Sequence, residues 1–402
     1  MPKSRKNKIL TTKAPRAPRK ALLAKASAQP SKSKRPLKIG IDARLAYRRG
    51  VGTYAANLIL ALSKVDLRNH YFIFNASAEL KRRIAHPRFH WLEIPFSNAA
   101  YYEQVLLPRA ALEQGVDFLH YVDNSATAIS EIPFVLTLHD AMYTRALSEV
   151  RPHPSFRQRL VHAYKRWAII RSAPRAQAVI TVSEFSKGQI LRQKLTAPGK
   201  IVVTPEGVDL KGFKRVTRKP SKIFKILVHG AADERKNLAN ILKAAKRLVE
   251  KKKIFQLVVI GMDAAELKCT NYVEQVTALG LGRQVEWAGN VPTEMLNQVY
   301  AEADLFLYPS RLEGFGLPVL EAFACGVPVV ASQTSSLPEV AGKAALLVDP
   351  ENPEAIAKAA GLVMEKPALR QALIRRGLRR AKLFTWEKTA RLTLKVYEGM
   401  RR

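Results

Sequence analysis

The chain is short of cysteine, of acidic residues relative to basic ones, and of long apolar runs, and each shortage closes off a class of protein. Two cysteines in 402 residues, Cys269 and Cys325, stand far apart with no His or Cys beside them at metal-ligand spacing. A zinc site and a disulfide framework are therefore not expected, and a reducing cytosol is the expected compartment. No uninterrupted apolar stretch approaches the ~20 residues that a membrane-spanning helix needs. The opening residues also lack the apolar core of a secretory signal. Lys and Arg number 67 against 33 Asp and Glu, a formal charge of +34. Such a balance favours polyanions: phosphorylated substrates, anionic lipid surfaces or nucleic acid.

What is present suits two globular domains, each long enough to bury its own core, with 47% hydrophobic and 25% charged residues. Residues 1–36 carry many Lys and Arg, no acid, and scattered Ala, Pro and Ser, and read as a disordered basic tail. A membrane-surface tether, a nucleic-acid contact and a transit peptide compete with a plain solvated tail there. The transit peptide fits poorly, because lysine exceeds arginine and proline breaks any helix. From residue 37 onward, short apolar strands alternate with helical segments, the pattern of doubly wound α/β domains. The expected partition is a first domain over 37–210, a linker over 211–222, a second domain over 223–385, and a last helical segment over 386–402.

Two strand–glycine loop–helix units stand out, because a helix N-terminus with its free amides seats anions. The first runs from a strand at 37–42 through the polar loop 44–49 into Gly50-Val51-Gly52-Thr53-Tyr54. A dinucleotide reading would want an acid closing the next strand, yet Tyr71-Phe72-Ile73-Phe74 ends in Asn75-Ala76-Ser77. The second is Arg311-Leu312-Glu313-Gly314-Phe315-Gly316-Leu317-Pro318-Val319-Leu320-Glu321, after the strand Leu305-Phe306-Leu307-Tyr308. Gly314 and Gly316 permit unusual backbone angles, and Pro318 suits a first helical turn. Glu313 and Glu321 bracket the seat as acceptors for hydroxyl groups. Between these units, residues 134–138 deliver His139-Asp140 at a strand's carboxyl end, where Asp140 can fix the orientation of the His139 ring. His120 closes another strand and is left as core. Early in the second half, Arg235 and Lys236 offer a bidentate fork and a point charge suited to a diphosphate. Basic stretches at 79–90 and 155–175 read as helix faces, the latter amphipathic, and either is also able to meet an anionic membrane.

Glu-x7-Glu enclosing Gly-Phe-Gly-Leu-Pro resembles the donor-site signature of the retaining family-4 (group 1) glycosyltransferases of GT-B type. The Gly50–Tyr54 loop, Thr137-Leu138-His139-Asp140, Val182-Ser183-Glu184-Phe185-Ser186 and Arg235-Lys236-Asn237 resemble further segments of that family. The resemblance spans roughly residues 37–397. It implies the GT-B fold: two Rossmann-like doubly wound parallel-sheet domains facing each other across a cleft, with the last helix crossing back to the first. It also implies a hexosyltransferase using a nucleoside diphosphate sugar. The residues do not name the sugar, and GDP-mannose or, almost equally, UDP-hexose is the expected donor, with a glycan or lipid-linked glycan as the expected acceptor. His139, Arg235, Lys236 and Glu313 are then the expected catalytic residues. Gly52, Gly316, Leu317, Pro318 and Glu321 are the expected donor-binding ones. No resident cofactor and no metal are expected: Asp-x-Asp is missing from the chain, and two cations already neutralise the phosphates. The chain departs from the family at Glu206, where an Asn is frequent. A sugar-nucleotide epimerase or hydrolase of similar fold, and a non-catalytic polyanion-binding protein, are the alternatives.

Overall fold

The structure, a computed structural model, describes residues 35–46, 50–144, 155–216, 223–230 and 233–401. Nearly all of the expected basic tail, the end of the polar loop after the first strand, and residues 217–222 of the expected linker lie outside the described residues.

The alternating apolar strands build two sheets in which every pairing is parallel. The first comprises β1 (Lys38–Asp42), β2 (His70–Phe74), β3 (Phe89–Leu92), β4 (Phe118–Tyr121), β5 (Phe134–Leu138), β6 (Ala178–Thr181) and β7 (Ile201–Val203), in the order β3-β2-β1-β4-β5-β6-β7. The second comprises β8 (Phe224–His229), β9 (Phe255–Ile260), β10 (Val285–Gly289), β11 (Leu305–Tyr308), β12 (Val329–Ser332) and β13 (Ala345–Val348), in the order β10-β9-β8-β11-β12-β13. Central strands such as β5, β11 and β12 are buried along their whole length. Helices on both faces account for these continuous apolar runs. Two parallel-sheet α/β domains are thus the architecture that the alternation predicts.

In each sheet the chain walks outward from a central strand and then returns to its other side. The reversal falls between β1 and β4 in the first sheet and between β8 and β11 in the second. Such a point leaves a crevice at the carboxyl ends of the strands, where ligands of open α/β sheets bind. The loop after β8 carries Arg235 and Lys236, and the loop after β11 carries Glu313. β5, beside β4, leads directly into His139.

Residues 37–402 form one compact unit. Its last helix, Trp386–Gly399, lies along the Val51–Val65 helix of the first half. Tyr397 Oη stands 2.6 Å from His120 Nδ1, and Thr389 Oγ1 donates to the Pro205 carbonyl at 2.6 Å. His120 is wholly buried, with its other nitrogen 2.8 Å from Thr137 Oγ1. Burial, helped by the charge of His139, depresses its pKa to about 3, so it is a neutral core histidine as expected.

The basic helix Phe156–Ser172 opens with a capping box between Ser155 and Gln158. It does not cover the sheet in the way its apolar residues suggest. Only Ala168, Ile169 and Ser172 are buried, whereas Phe156, Leu160, Val161, Trp167 and Ile170 are exposed. Its buried apolar contacts lie in its C-terminal part, while from its middle Tyr164 Oη donates to the buried Glu103 at 2.8 Å and Lys165 pairs with Asp123 at 2.6 Å.

Candidate functional site

At the β8/β11 crevice, the loop after β8 closes with Asn237 in the left-handed region, φ +62°. Its side-chain Nδ2 donates to the carbonyls of Pro309 and Pro350 at 2.9 and 2.7 Å. That clamp ties the Arg235-Lys236 turn to the loop after β11, and Arg311 N completes it by donating to Arg235 O at 2.8 Å. The result brings Lys236 Nζ to 2.8 Å from Glu313 Oε1 and 2.7 Å from Tyr308 Oη. Tyr308 and Ser310 also donate to Glu313, at 2.7 and 2.6 Å. Burial raises the Glu313 carboxyl pKa, but the Lys236 charge and these hydrogen bonds outweigh it and hold the group below its ordinary value. Arg235 is turned by Asp233, whose carboxylate accepts from its Nε and Nη2 at 2.9 and 2.5 Å. Its guanidinium remains within electrostatic reach of Glu313 and Asp140.

Beyond Glu313 the chain turns into the helix Leu317–Ala324. Gly316 takes φ +106°, which only glycine adopts without strain. Gly314 does not take a positive φ, so its requirement is spatial: a Cβ there would lie 2.6 Å from the His139 carbonyl oxygen. The two halves touch at this point. Ser183 Oγ donates to Gly314 O at 2.6 Å, and Ser186 Oγ lies 2.8 Å from His139 O and 3.1 Å from Gly314 O. Glu339 accepts from the Glu184 and Phe185 amides at 3.1 and 3.2 Å, which caps the first-half helix Glu184–Arg192 from the second half. Pro318 shapes the first turn but has no N–H, so amide donation at this helix start falls to Gly316 and Leu317. Glu321, farther along the helix, accepts from Tyr300 Oη at 3.0 Å. Burial, eased by that bond and reinforced by the charge of Glu206, raises its pKa to about 7.

On the first-half wall, Gly52 is buried in the opening turn of the Val51–Val65 helix, two residues before Tyr54. The Tyr54 ring meets the His139 ring edge-on, with centroids 4.7 Å apart. The expectation that Asp140 orients His139 is corrected here. Asp140 accepts from Met142 N at 2.9 Å, a local turn, whereas His139 Nδ1 faces Glu206 Oε1 at 3.4 Å and Nε2 faces Val122 O at 3.0 Å. Arg235, Lys236, Glu313, Gly316, Leu317 and Pro318 thus gather at one crevice. Glu321 lies farther along the same helix, and His139 meets the Gly314 loop from the first half, with its ring against Tyr54, while Gly52 lies in the first turn of the Tyr54 helix. Sequence reasoning missed Tyr300, Tyr308, Ser310 and Asp233. Only Tyr308 and Ser310 carried a signal, as the end of the strand feeding the motif.

Two doubly wound halves meeting beside such a crevice define the GT-B fold. Comparison with known proteins takes this further. The family described as Glycosyltransferase Family 4 matches residues 48–211, and the one described as Glycosyl transferases group 1 matches residues 211–380. The O-antigen chain mannosyltransferase B of Escherichia coli is 33% identical over 260 residues, 61% of this chain and 66% of that one. The MMP alpha-(1->4)-mannosyltransferase of Mycolicibacterium hassiacum is 32% identical over 275 residues, 66% of this chain and 65% of that one. The matched region therefore spans about two thirds of the length of either relative. Sucrose-phosphate synthase from Thermosynechococcus elongatus shares the fold with a TM-score of 0.72 at 22% identity, over 90% of this chain and 99% of that one. The chain belongs to the group 1 glycosyltransferases.

Proposed function

We propose that the protein transfers a hexose, mannose by preference, from a nucleoside diphosphate sugar to a glycan or lipid-linked glycan, with retention at the anomeric carbon and no required divalent metal. The observation that carries this reading is the convergence of Lys236, Arg235 and Glu313 at the β8/β11 crevice, with Lys236 Nζ 2.8 Å from Glu313 Oε1. Two cations and a helix start suit a diphosphate, and buried carboxylates suit the hydroxyls of an attached sugar and ribose. Arg235 and Lys236 stabilise the departing diphosphate as its bond to the anomeric carbon breaks. The acceptor oxygen bonds to that carbon, and its proton passes to the leaving phosphate. Glu313 accepts from the sugar, and Glu321 from the ribose. Retention follows the family resemblance. The preference for mannose and a glycan acceptor is supported by the names of the two mannosyltransferases, one of them acting on O-antigen chains.

Peripheral contact with an anionic membrane belongs to the same reading. Exposed Phe156, Leu160, Trp167 and Ile170 share one helix with exposed Arg157, Arg159 and Arg171. No helix among the described residues is long and apolar enough to cross a membrane. Calorimetric titration with GDP-mannose and UDP-hexoses, with and without EDTA, tests the donor and the metal independence. Heat from one donor that EDTA leaves unchanged is the expected result, and silence across the panel defeats the proposal. Proton NMR of the product reads the anomeric configuration. Conversion of the nucleotide sugar without acceptor would mark an epimerase or hydrolase instead.

A further inference from the structure

Glu206 follows β7 in a segment held tightly on both sides. Thr389 Oγ1 grips the Pro205 carbonyl, and Val208 N donates to Phe384 O at 3.0 Å. A Cβ on Gly207 would lie 2.2 Å from the Trp386 nitrogen, so this backbone is pressed against the last helix. The Glu206 side chain, buried with His139, is thus delivered to a set position facing Nδ1 of that ring at 3.4 Å. His139 is equally constrained. Asn124 Oδ1 accepts from its amide at 2.7 Å, Ser186 Oγ meets its carbonyl at 2.8 Å, and Tyr54 packs edge-on against the ring.

With Glu206 ionised, both ring nitrogens face groups that can only accept: the Val122 carbonyl at Nε2 and the Glu206 carboxylate at Nδ1. A neutral imidazole has a single N–H and satisfies one of them. Two acceptors require two N–H groups. An amide at position 206 would behave differently, because its NH2 can donate to a bare Nδ1 while Nε2–H still serves Val122. The ring would keep its orientation and lose its charge.

We propose that Glu206 is a positioning residue that holds His139 as an imidazolium, so that the first-half wall of the cleft carries a fixed cation where an asparagine or glutamine would leave a neutral ring. The catalytic meaning of that cation rests on the glycosyltransferase reading above, but the ring chemistry does not. The surrounding groups agree with it. Burial pushes His139 toward the neutral form, yet the hydrogen bond and charge of Glu206, the Val122 carbonyl and the charge of Asp123 outweigh it and raise the pKa. Asp123 is itself bound by Lys165 at 2.6 Å, which tempers its share. His120 is neutral, and burial lifts the Tyr54 phenol to about 12, so neither adds charge. From the second half, Glu321 faces Glu206 closely enough for the Glu206 charge to raise it.

The test is histidine-selective 15N and 13C NMR of the full chain across pH, with His139→Gln to assign the resonance. Near neutral pH the wild-type ring is expected to show both nitrogens protonated and a midpoint above that of an ordinary histidine. In Glu206→Gln only Nε2 stays protonated and the midpoint falls. Glu206→Asp, which keeps the charge, moves it back toward wild type. A wild-type ring with one protonated nitrogen, or a midpoint that Glu206→Gln leaves in place, overturns the proposal. Should the Glu206 variants not fold, the protonation of the assigned wild-type ring decides the matter. Sugar transfer is expected to decline as pH passes the wild-type midpoint, and at lower pH in Glu206→Gln. Failure of every nucleotide sugar to bind would remove the transfer reading while leaving the ring assignment intact.

Discussion

Glu313 and Glu321 open and close one short spacing, both are largely buried, and they titrate in opposite directions. Glu313 lies in a loop, with Lys236 at 2.8 Å and two hydroxyls donating to it. Glu321 lies inside an apolar helix, with one tyrosine donor and another carboxylate as its charged neighbour. Desolvation opposes the charge of both, and a cation decides the outcome for only one. Glu313 is therefore an anion before any ligand arrives. Glu321 is poised near neutrality and gains a reason to ionise when hydroxyl donors reach it.

The largest expected effect comes from giving Glu313 the surroundings of Glu321. Lys236→Met removes the cation, leaves burial unopposed at Glu313, and takes away a phosphate partner. A loss of ~10²–10³ in kcat is expected, as for removal of a preorganised charge-stabilising donor. Single-turnover rates at saturating donor measure it, and a change under about threefold would mean that Lys236 acts only in binding or folding.

Next comes the pH response of Glu321. Its pKa is raised from 4.5 to about 7 in the folded chain, so the folded state binds the extra proton between those values. The stability it contributes is complete below about pH 4.5 and is lost as pH rises through about 7, an upper bound of roughly 3 kcal/mol. Glu321→Gln should flatten that part of the melting-temperature profile. Donor binding should run the other way, because ribose hydroxyls favour the carboxylate: affinity rises toward about pH 7, and titrations in buffers of different ionisation heat detect proton release below it. Proton uptake would reverse the assignment of Glu321 as an acceptor.

Gly314→Ala tests the loop geometry that sets Glu313 apart. The added methyl would meet the His139 carbonyl at 2.6 Å, and main chain yields little. A cost of about 1–3 kcal/mol is expected, in the range for overpacking. A melting temperature equal to wild type would show that the two halves separate readily at this contact.

The elements built from local chemistry were legible before the fold was known. Glycine, proline and an apolar run are enough to write the strand, loop and helix around residues 305–326, and two alternating series suffice for doubly wound sheets. Contacts made by distant residues were not. Nothing in the chain announces that Glu206 reaches His139, or that Tyr300 reaches Glu321, because each meeting depends on which strands become neighbours. Adjacency even misled: Asp140 follows His139 directly, yet successive residues leaving a strand point in different directions, and Asp140 folds back onto Met142 N instead. The exposed apolar residues of the Phe156–Ser172 helix illustrate the same limit. Their types suggest a buried face, and only packing reveals that the core meets the other end.

The smallest expected effect concerns the carbonyl that anchors the Glu313 loop to the first half. Gly314 O receives Ser183 Oγ at 2.6 Å, with Ser186 Oγ a longer 3.1 Å away. Ser186→Ala leaves that carbonyl served by Ser183 and removes mainly the 2.8 Å contact to His139 O. A loss of ~0.5–1.5 kcal/mol is expected, the net worth of one hydrogen bond. Ser183→Ala should cost more, since Ser183 Oγ also caps the Glu184–Arg192 helix by accepting from Ser186 N at 3.0 Å. With both serines removed, the carbonyl loses its hydroxyl donors together, so the double variant should fall below the sum of the singles. Strict additivity in a double-mutant cycle would show that water replaces the hydroxyls at no cost. The loop would then owe its position to the Asn237 clamp rather than to contact with the first half.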